Sequence, residues 1–177
     1  MKLICKRIIS MVLLLSAVLS LVLPVCAAEN EQATILFTHD LHSHLLPSVD
    51  EDGGEYGGYA RLMTVIRQQK EKYPDAILVD GGDFSMGSLF QTAYTTSAIE
   101  LRMMGAMGYD ATVLGNHEFD YLPKGFAAML NVAASSGEPV PAIVNANYWP
   151  GPGSHEDAAL VTDAMTNYGV KDYIAPE

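Results

Sequence analysis

Cysteine is nearly absent from this 177-residue sequence: its two cysteines, Cys5 and Cys26, both lie close to the N-terminus. The remainder of the chain therefore offers no disulfide bond and no thiolate metal site. Any metal ion bound there must be held by oxygen and nitrogen ligands, such as carboxylate, amide and imidazole groups.

Positively charged residues are also few. The sequence has 10 Lys and Arg residues against 21 Asp and Glu residues, and its formal net charge is -11 at pH 7. An excess of negative charge repels the phosphates of nucleic acids and of anionic membrane surfaces, so we expect neither as a partner. The same excess suits a protein that holds divalent cations.

Long apolar stretches are confined to the N-terminus. Three cations precede the apolar run 8–25, and Cys26-Ala27-Ala28 then offers small residues for cleavage. This order predicts a secretory signal over 1–28 and a mature protein that is secreted, extracellular or in the cell envelope, without a stable membrane span. Retention of the segment as a membrane anchor is the alternative. Residues 29–177 have the length of one domain and show no internal repeat or interdomain linker.

Beyond the signal, β-rich apolar runs alternate with helical patterns, which predicts an α/β fold with a parallel sheet. The predicted strands span 33–38, 76–79, 111–114 and 140–144, and the predicted helices span 59–73, 95–107, 123–137 and 157–167. We also expect residues 170–175 to begin another strand and the acidic segment 50–55 to form a solvated turn.

Three of these strands are followed by polar clusters. Residues 39–44 contain three histidines and Asp40, residues 80–83 form an Asp-Gly-Gly-Asp turn, and residues 115–120 are Gly-Asn-His-Glu-Phe-Asp. Taken singly, each is compatible with an ordinary hydrogen-bonded turn. The separations from Asp40 to Asp83 and from Asp83 to Asn116 each leave room for one strand-helix-strand crossover. The three clusters should therefore converge at the carboxyl edge of the sheet.

The side chains in these clusters predict a metal site. Asp40 and His42, two residues apart in an extended segment, would point to the same side and suit one ion. Asn116 suits a second ion, and Asp83 lies between them as a candidate bridging carboxylate. A bridged pair of ions can clamp a phosphoryl group and lower the pKa of a bound water, which then attacks as hydroxide.

A candidate acid-base pair follows in the third cluster. His117 can donate or accept a proton near neutral pH, and Asp120, three residues later, can orient its ring and favour its charged form.

These motifs, together with Gly57-Gly58-Tyr59-Ala60-Arg61 at the start of the first helix, resemble the calcineurin-like metallophosphoesterases, and within them the secreted 5′-nucleotidase family. The resemblance implies that fold's layered α/β architecture. It also implies that a first metal is held by Asp40, His42 and Asp83, and a second by Asp83 and Asn116.

In that family the residues matching His117 and Asp120 form the catalytic pair, in which the histidine stabilises or protonates the departing ester. Glu118 is expected to be structural. The resemblance implies a small nucleotide as substrate and two divalent ions, for which zinc, manganese and iron all remain open.

One departure from the family is clear. The family completes its dinuclear site with downstream histidines and adds a C-terminal domain that binds the nucleotide, whereas His155 is the one histidine after His117 here. We therefore expect residues 29–177 to be the N-terminal portion of a longer metallophosphoesterase, with a fold that is incomplete at the C-terminus and inactive alone. The parent would hydrolyse 5′-nucleotides or related nucleotide esters outside the cell. The alternative is a non-catalytic extracellular fragment that binds metal or ligand with half of the site.

Overall fold

The structure is a computed structural model that describes residues 32–151 and 153–175. The predicted signal over 1–28 lies outside the described residues, so its prediction is not tested. Within the part of the chain that is described, no helix combines the length and apolar character that a membrane crossing requires.

Six short strands and five α-helices lie within the described residues. The strands are β1 Ile35–Thr38, β2 Ser48–Val49, β3 Glu55–Tyr56, β4 Ile77–Asp80, β5 Ala111–Thr112 and β6 Ala142–Ile143. The helices are α1 Tyr59–Lys72, α2 Tyr94–Ser97, α3 Ile99–Met107, α4 Leu122–Ser135 and α5 Ala158–Tyr168, and 3-10 turns span Leu89–Ala93 and His117–Phe119.

The main sheet is parallel throughout, with spatial order β1-β4-β5-β6, which is also the order of these strands along the chain. When strands are added in one direction by crossovers of one hand, every connecting helix falls on the same face. The burial pattern agrees, because Leu36, Leu78 and Ile143 share one core with the helices. On the opposite face, Ile35 and Phe37 are 61% and 62% exposed. The predicted α/β fold with a parallel sheet is confirmed.

The core lies between the sheet and its helices. Its largest fully buried apolar side chains come from β4, the loop after β4, β6 and the helical segments: Leu78, Phe84, Tyr94, Leu101, Met104, Phe126, Met129, Leu130, Ile143 and Met165. Two methionines of α3 are part of this packing, since Met104 and Met107 are buried, whereas Met103 is 36% exposed. This core supports the sheet from below and leaves its carboxyl edge accessible.

Two predicted elements differ from the structure. The helix predicted over 95–107 is interrupted at Ala98, whose φ of 46° is left-handed and which separates α2 from α3. No glycine or proline signals this interruption in the sequence. The strand predicted within 170–175 is limited to one isolated parallel bridge between Val144 and Lys171.

Residues 50–55 form the predicted turn, and the turn joins a small antiparallel hairpin of β2 and β3 that the sequence did not predict. The Asp50 carboxylate accepts hydrogen bonds from the backbone N–H groups of Asp52 at 3.0 Å and Gly54 at 2.6 Å. A side chain that caps its own turn in this way stabilises the turn locally.

Candidate metal centre

The three polar clusters meet at the carboxyl edge of the parallel sheet. The loop after β1 is hydrogen-bonded to the loop after β4 along the backbone: Asp40 N–H donates to the Gly82 carbonyl at 3.1 Å, and His42 N–H donates to the Asp83 carbonyl at 3.0 Å. The predicted convergence is confirmed for these loops, and it follows from the parallel pairing of β1 with β4 and of β4 with β5.

The loop after β1 is not extended as predicted. Asp40, His42 and Ser43 have left-handed φ values of 53°, 45° and 51°. The Asp40 and His42 side chains still meet, with His42 Nε2 at 3.5 Å from Asp40 Oδ1. A tight turn brings these two side chains together. The alternation of side-chain directions along an extended strand is not the cause. Such conformations cost about 1–3 kcal/mol each and persist where surrounding contacts determine them.

Three potential ligands come closest together at this edge. One ligand atom each from His42, Asp83 and His117 lies within 4.8 Å of the other two. The two imidazole rings meet edge to face with centroids 5.1 Å apart. His42 Nδ1 donates to the Met86 carbonyl at 2.8 Å, because a carbonyl can only accept. This bond leaves Nε2 as the nitrogen that is free to bind a metal, which is the usual arrangement of a ligand histidine.

Asp40 lies beside this cluster with half of its side chain exposed. Its carboxylate accepts a short hydrogen bond from His39 Nδ1. That hydrogen bond, with the nearby His39 and His42 rings and Asp83, keeps the pKa of Asp40 below its usual value. Asp40 is therefore charged at neutral pH, as a metal ligand must be.

His117 and Asp120 form a direct pair at the start of the 3-10 turn. His117 Nδ1 donates to Asp120 Oδ2 at 2.7 Å, so His117 Nε2 is directed away from Asp120. This hydrogen bond raises the pKa of His117, which favours its charged form. The His117 backbone N–H donates to Asp83 Oδ1 at 2.9 Å. Asn116 begins the turn with its side chain exposed.

Glu118 lies beneath these groups and is fully buried. Its carboxylate accepts hydrogen bonds from the backbone of Asp83 and Gly115 and from both the backbone and the hydroxyl of Ser85. Burial raises the pKa of Glu118, and these donors act against that rise. From the sequence, Glu118 could be identified only as a structural residue of the motif. Its hydrogen-bond donors could not be predicted, because Gly115 lies three positions away but Asp83 lies more than thirty positions earlier in the chain.

Comparison with known proteins decides the family. The model of the calcineurin-like phosphoesterase family matches residues 33–171, which is most of the chain. This chain belongs to the calcineurin-like phosphoesterase family. The predicted membership is thereby confirmed, and so is the fold class.

Relatives of this phosphoesterase include 5′-nucleotidases. It is 40% identical to the 5′-nucleotidase of Bos taurus over 101 residues, which cover 53% of this chain and 17% of the bovine enzyme. It is 39% identical to the human 5′-nucleotidase over 101 residues, with coverage of 53% and 17%. A trifunctional nucleotide phosphoesterase of Bacillus subtilis is 36% identical over 106 residues, 60% of this chain and 6% of that protein.

Solved structures agree with these relatives. A 5′-nucleotidase precursor from Thermus thermophilus has a TM-score of 0.54 at 30% identity, covering 65% of this chain and 22% of its own. The NAD nucleotidase of Haemophilus influenzae has a TM-score of 0.56 at 25% identity, with coverage of 71% and 22%. The phosphoesterase chain thus spans less than a quarter of the length of each of these relatives.

The donor set of this phosphoesterase fits a divalent metal. It combines carboxylate oxygens and an imidazole nitrogen, which suit zinc, manganese and iron. The His42 ring already has the outer hydrogen bond that orients a ligand, and Asp83 keeps one carboxylate oxygen beyond the one that accepts from His117. The clustered triad contains His117, assigned from the sequence to catalysis, whereas Asp40 lies outside it. The assignment of individual ligands therefore stays a prediction.

Proposed function

We propose that this chain contributes the metal centre of a divalent-metal-dependent phosphoesterase that hydrolyses 5′-nucleotides outside the cell. The observation that carries the proposal is the convergence of His42, Asp83 and His117 within 4.8 Å at the carboxyl edge of the sheet, in a member of the calcineurin-like phosphoesterase family. Nucleoside monophosphates or related nucleotide esters are the proposed substrates, since the relatives reported above include 5′-nucleotidases and other enzymes named for nucleotide substrates.

In the proposed site, Asp40, His42 and Asp83 hold one ion, and Asp83 with Asn116 holds a second. When bound, divalent cations offset the charge of a phosphoryl group and lower the pKa of water towards neutrality. The proposed role of Asp83 is supported by the position of its carboxylate, which has an oxygen within 4.8 Å of a ring nitrogen of His42 and one of His117. The contacts to Met86 and His117 hold His42 and Asp83 in fixed orientations before a substrate arrives.

His117 is proposed to act on the departing ester oxygen. Its Nδ1–H is engaged by Asp120, so the Nε2 atom is the one available to donate a proton or a hydrogen bond. Asp120 holds the ring in that orientation and stabilises its positive charge. A positioned acid of this kind contributes roughly 10²–10⁴-fold to a rate.

Export is proposed from the secretory pattern over 1–28. N-terminal sequencing of the protein recovered outside the cell should begin close to residue 29. Recovery of Met1 on a product retained in the membrane would contradict export and favour the anchor.

The catalytic proposal is tested with the complete translation product of the gene that encodes this chain. The purified protein is loaded with Mn²⁺ or Zn²⁺, and phosphate release is measured from 5′-nucleotides, 3′-nucleotides and a sugar phosphate. We expect metal-dependent release with a preference for 5′-nucleotides, and its loss in Asp83→Asn.

The alternative is a non-catalytic domain that binds metal or a ligand extracellularly with half of the site. Tight metal binding without phosphate release from any of these esters would favour that alternative and contradict the catalytic proposal.

A further inference from the structure

The buried carboxylate of Glu118 connects loops that are distant in the chain. Oε2 accepts hydrogen bonds from the backbone N–H groups of Asp83 at 3.0 Å and Gly115 at 2.7 Å. Oε1 accepts from the Ser85 N–H at 3.1 Å and the Ser85 hydroxyl at 2.8 Å. Both oxygens are thus occupied by donors from the loops that follow β4 and β5.

Glu118 is itself anchored from the other side. The hydroxyl of Tyr94, a fully buried residue in α2, donates to the Glu118 backbone carbonyl at 2.6 Å. The Glu118 backbone is therefore held in place by Tyr94. Loss of the hydrogen bonds to the Glu118 carboxylate should displace the loops that donate them more than it displaces Glu118 itself.

Asp83 depends on this support. Its φ of 52° is left-handed, a conformation that a non-glycine residue keeps only where its surroundings determine it. One determinant is the bond from the Asp83 N–H to Glu118, and a second is the bond from the His117 N–H to Asp83 Oδ1. Together these bonds place the Asp83 carboxylate between the two loops.

The two loops also touch directly. A methyl group added at Gly115 would lie 2.2 Å from Asp83 Oδ1, so the Asp83 carboxylate packs against the bare backbone of Gly115. There is no free space between these groups, and a shift of either loop is transmitted to Asp83 at once.

We infer that Glu118 is a positioning residue of the metal centre, which sets the metal affinity of Asp83 through the backbone of the loops that follow β4 and β5 without contacting the metal. The inference rests on the metal site of the proposed function. Loss of an outer partner of a metal ligand typically lowers metal affinity by about 10–100-fold, and we expect a change of that size.

The test is titration of the complete protein with Mn²⁺ by calorimetry. In Glu118→Gln an N–H group replaces one acceptor, so two of the four donors lose their partner, and the dissociation constant should rise about tenfold. Glu118→Ala removes both acceptors and should approach a hundredfold. Ser85→Ala is the matched control, because it removes one donor and retains both bonds to Oε2; its dissociation constant should stay within about twofold of the wild type.

A second control separates positioning from general stability. Ile143→Val trims the core at β6, away from these loops, and lowers the melting temperature with little effect on affinity. Amide hydrogen exchange in the metal-free protein gives an independent readout: the N–H groups of Asp83 and Gly115 should exchange slowly in the wild type and faster in Glu118→Gln.

Three results would overturn the inference. The first is an unchanged affinity in Glu118→Gln, and the second is an equal loss in Ser85→Ala or Ile143→Val. The third is a wild-type protein that binds no Mn²⁺, which would overturn the proposed metal-dependent function as well. Binding by the wild type with unchanged affinity in Glu118→Gln would overturn the positioning role alone.

Discussion

At the scale of single residues, His117 has two possible roles, as a metal ligand or as a proton donor. It belongs to the cluster of potential ligands with His42 and Asp83, and its Nδ1 is also bonded to Asp120. A histidine that ligates a metal must be neutral, whereas a histidine that donates a proton to a leaving group must first be charged. The bond to Asp120 stabilises the charged ring, which supports the second role.

Substitutions at Asp83 and His117 should distinguish a metal ligand from a general acid. Asp83→Asn should remove most phosphate release and lower metal content at both ions, because Asp83 is the proposed bridging ligand. His117→Ala should leave metal content near normal and lower turnover by roughly two to four orders of magnitude. Metal analysis and phosphate assays on the complete protein check both, with His155→Ala as a control outside the site. If His117→Ala empties the metal site, His117 is a ligand.

Glu100 is a second buried acid, and it has fewer partners than Glu118. It lies in the first turn of α3, where Oε1 accepts from the Ser43 hydroxyl at 2.6 Å. Among the described residues Oε2 has no hydrogen-bond partner, and neither has the Tyr59 hydroxyl. Burial raises the pKa of Glu100, and the nearby Glu118 adds to the rise.

Stability should therefore depend on the ionisation of Glu100. A carboxyl group whose pKa is raised in the folded state contributes stability below its unfolded pKa, and that stability is lost as the pH rises through the folded pKa. Glu100→Gln keeps an acceptor for Ser43 and cannot ionise. Its melting temperature should exceed that of the wild type by a few degrees at pH 8, and by less at pH 5.

The control for this prediction is a carboxyl group whose pKa is shifted in the opposite direction. Glu138 is exposed and paired with Arg102, whose guanidinium keeps the pKa of Glu138 below its usual value. Its contribution is present above the unfolded pKa and is lost as the pH falls through the folded one, so Glu138→Gln should gain nothing at pH 8. A gain of similar size in both variants would show that the effect is not specific to the buried Glu100.

At the scale of elements, two helix boundaries lie at residues that local propensity does not favour there. Ala98 separates α2 from α3 and Leu122 opens α4, and both are left-handed without being glycine, with φ of 46° and 59°. A left-handed conformation costs an L-residue about 1–2 kcal/mol. The two differ in burial, since Ala98 is fully buried and Leu122 is 70% exposed.

Glycine should therefore be better tolerated at Leu122 than at Ala98. Both substitutions relieve the left-handed strain and add similar freedom to the unfolded chain. Ala98→Gly also removes a buried methyl group worth about 0.8 kcal/mol. Leu122→Gly should have a melting temperature higher than that of Ala98→Gly by about 2–5 °C in thermal unfolding. An equal or lower value would mean that the Leu122 side chain contributes more burial than its exposure indicates.

At the scale of the whole molecule, the most unusual feature is a face of the parallel sheet that no helix within residues 32–151 and 153–175 covers. Sheets of this kind are generally covered on both faces. Here the described helices share one core on a single face, and the other face exposes Ile35, Phe37 and, at 38%, Val113. An apolar surface of this kind favours association.

The isolated chain should self-associate through this face. Replacement of Ile35 and Phe37 by threonine keeps a residue that favours strands and removes most of the exposed apolar surface of β1. Sedimentation of the double variant should show monomer at concentrations where the wild type associates. Leu89→Thr is the matched control, because Leu89 is more exposed at 87% and lies in a 3-10 turn away from the sheet. Equal association of the wild type and the double variant would exclude the sheet face as the surface involved.

The sequence by itself determined the approximate positions and the parallel direction of the main strands, and the meeting of the clusters that hold Asp40, Asp83 and Asn116. Hydrophobic runs locate strands, and crossovers of this length return each strand in parallel, so groups at the carboxyl ends must converge. The pairing of His117 with Asp120 was predictable for the same local reason, since three positions span one turn. The signal over 1–28 stays a prediction.

The tertiary structure alone decided the backbone at the site and the support beneath it. Local preference disfavours left-handed φ at Asp40 and His42, and contacts with the loop after β4 override it. Glu118 could be recognised as a link only when Asp83 and Gly115 were seen to donate to the same oxygen. The physical reason is shared: burial and hydrogen bonding between distant segments exist only in the folded chain, whereas hydrophobic periodicity and motif spacing are present along the sequence itself.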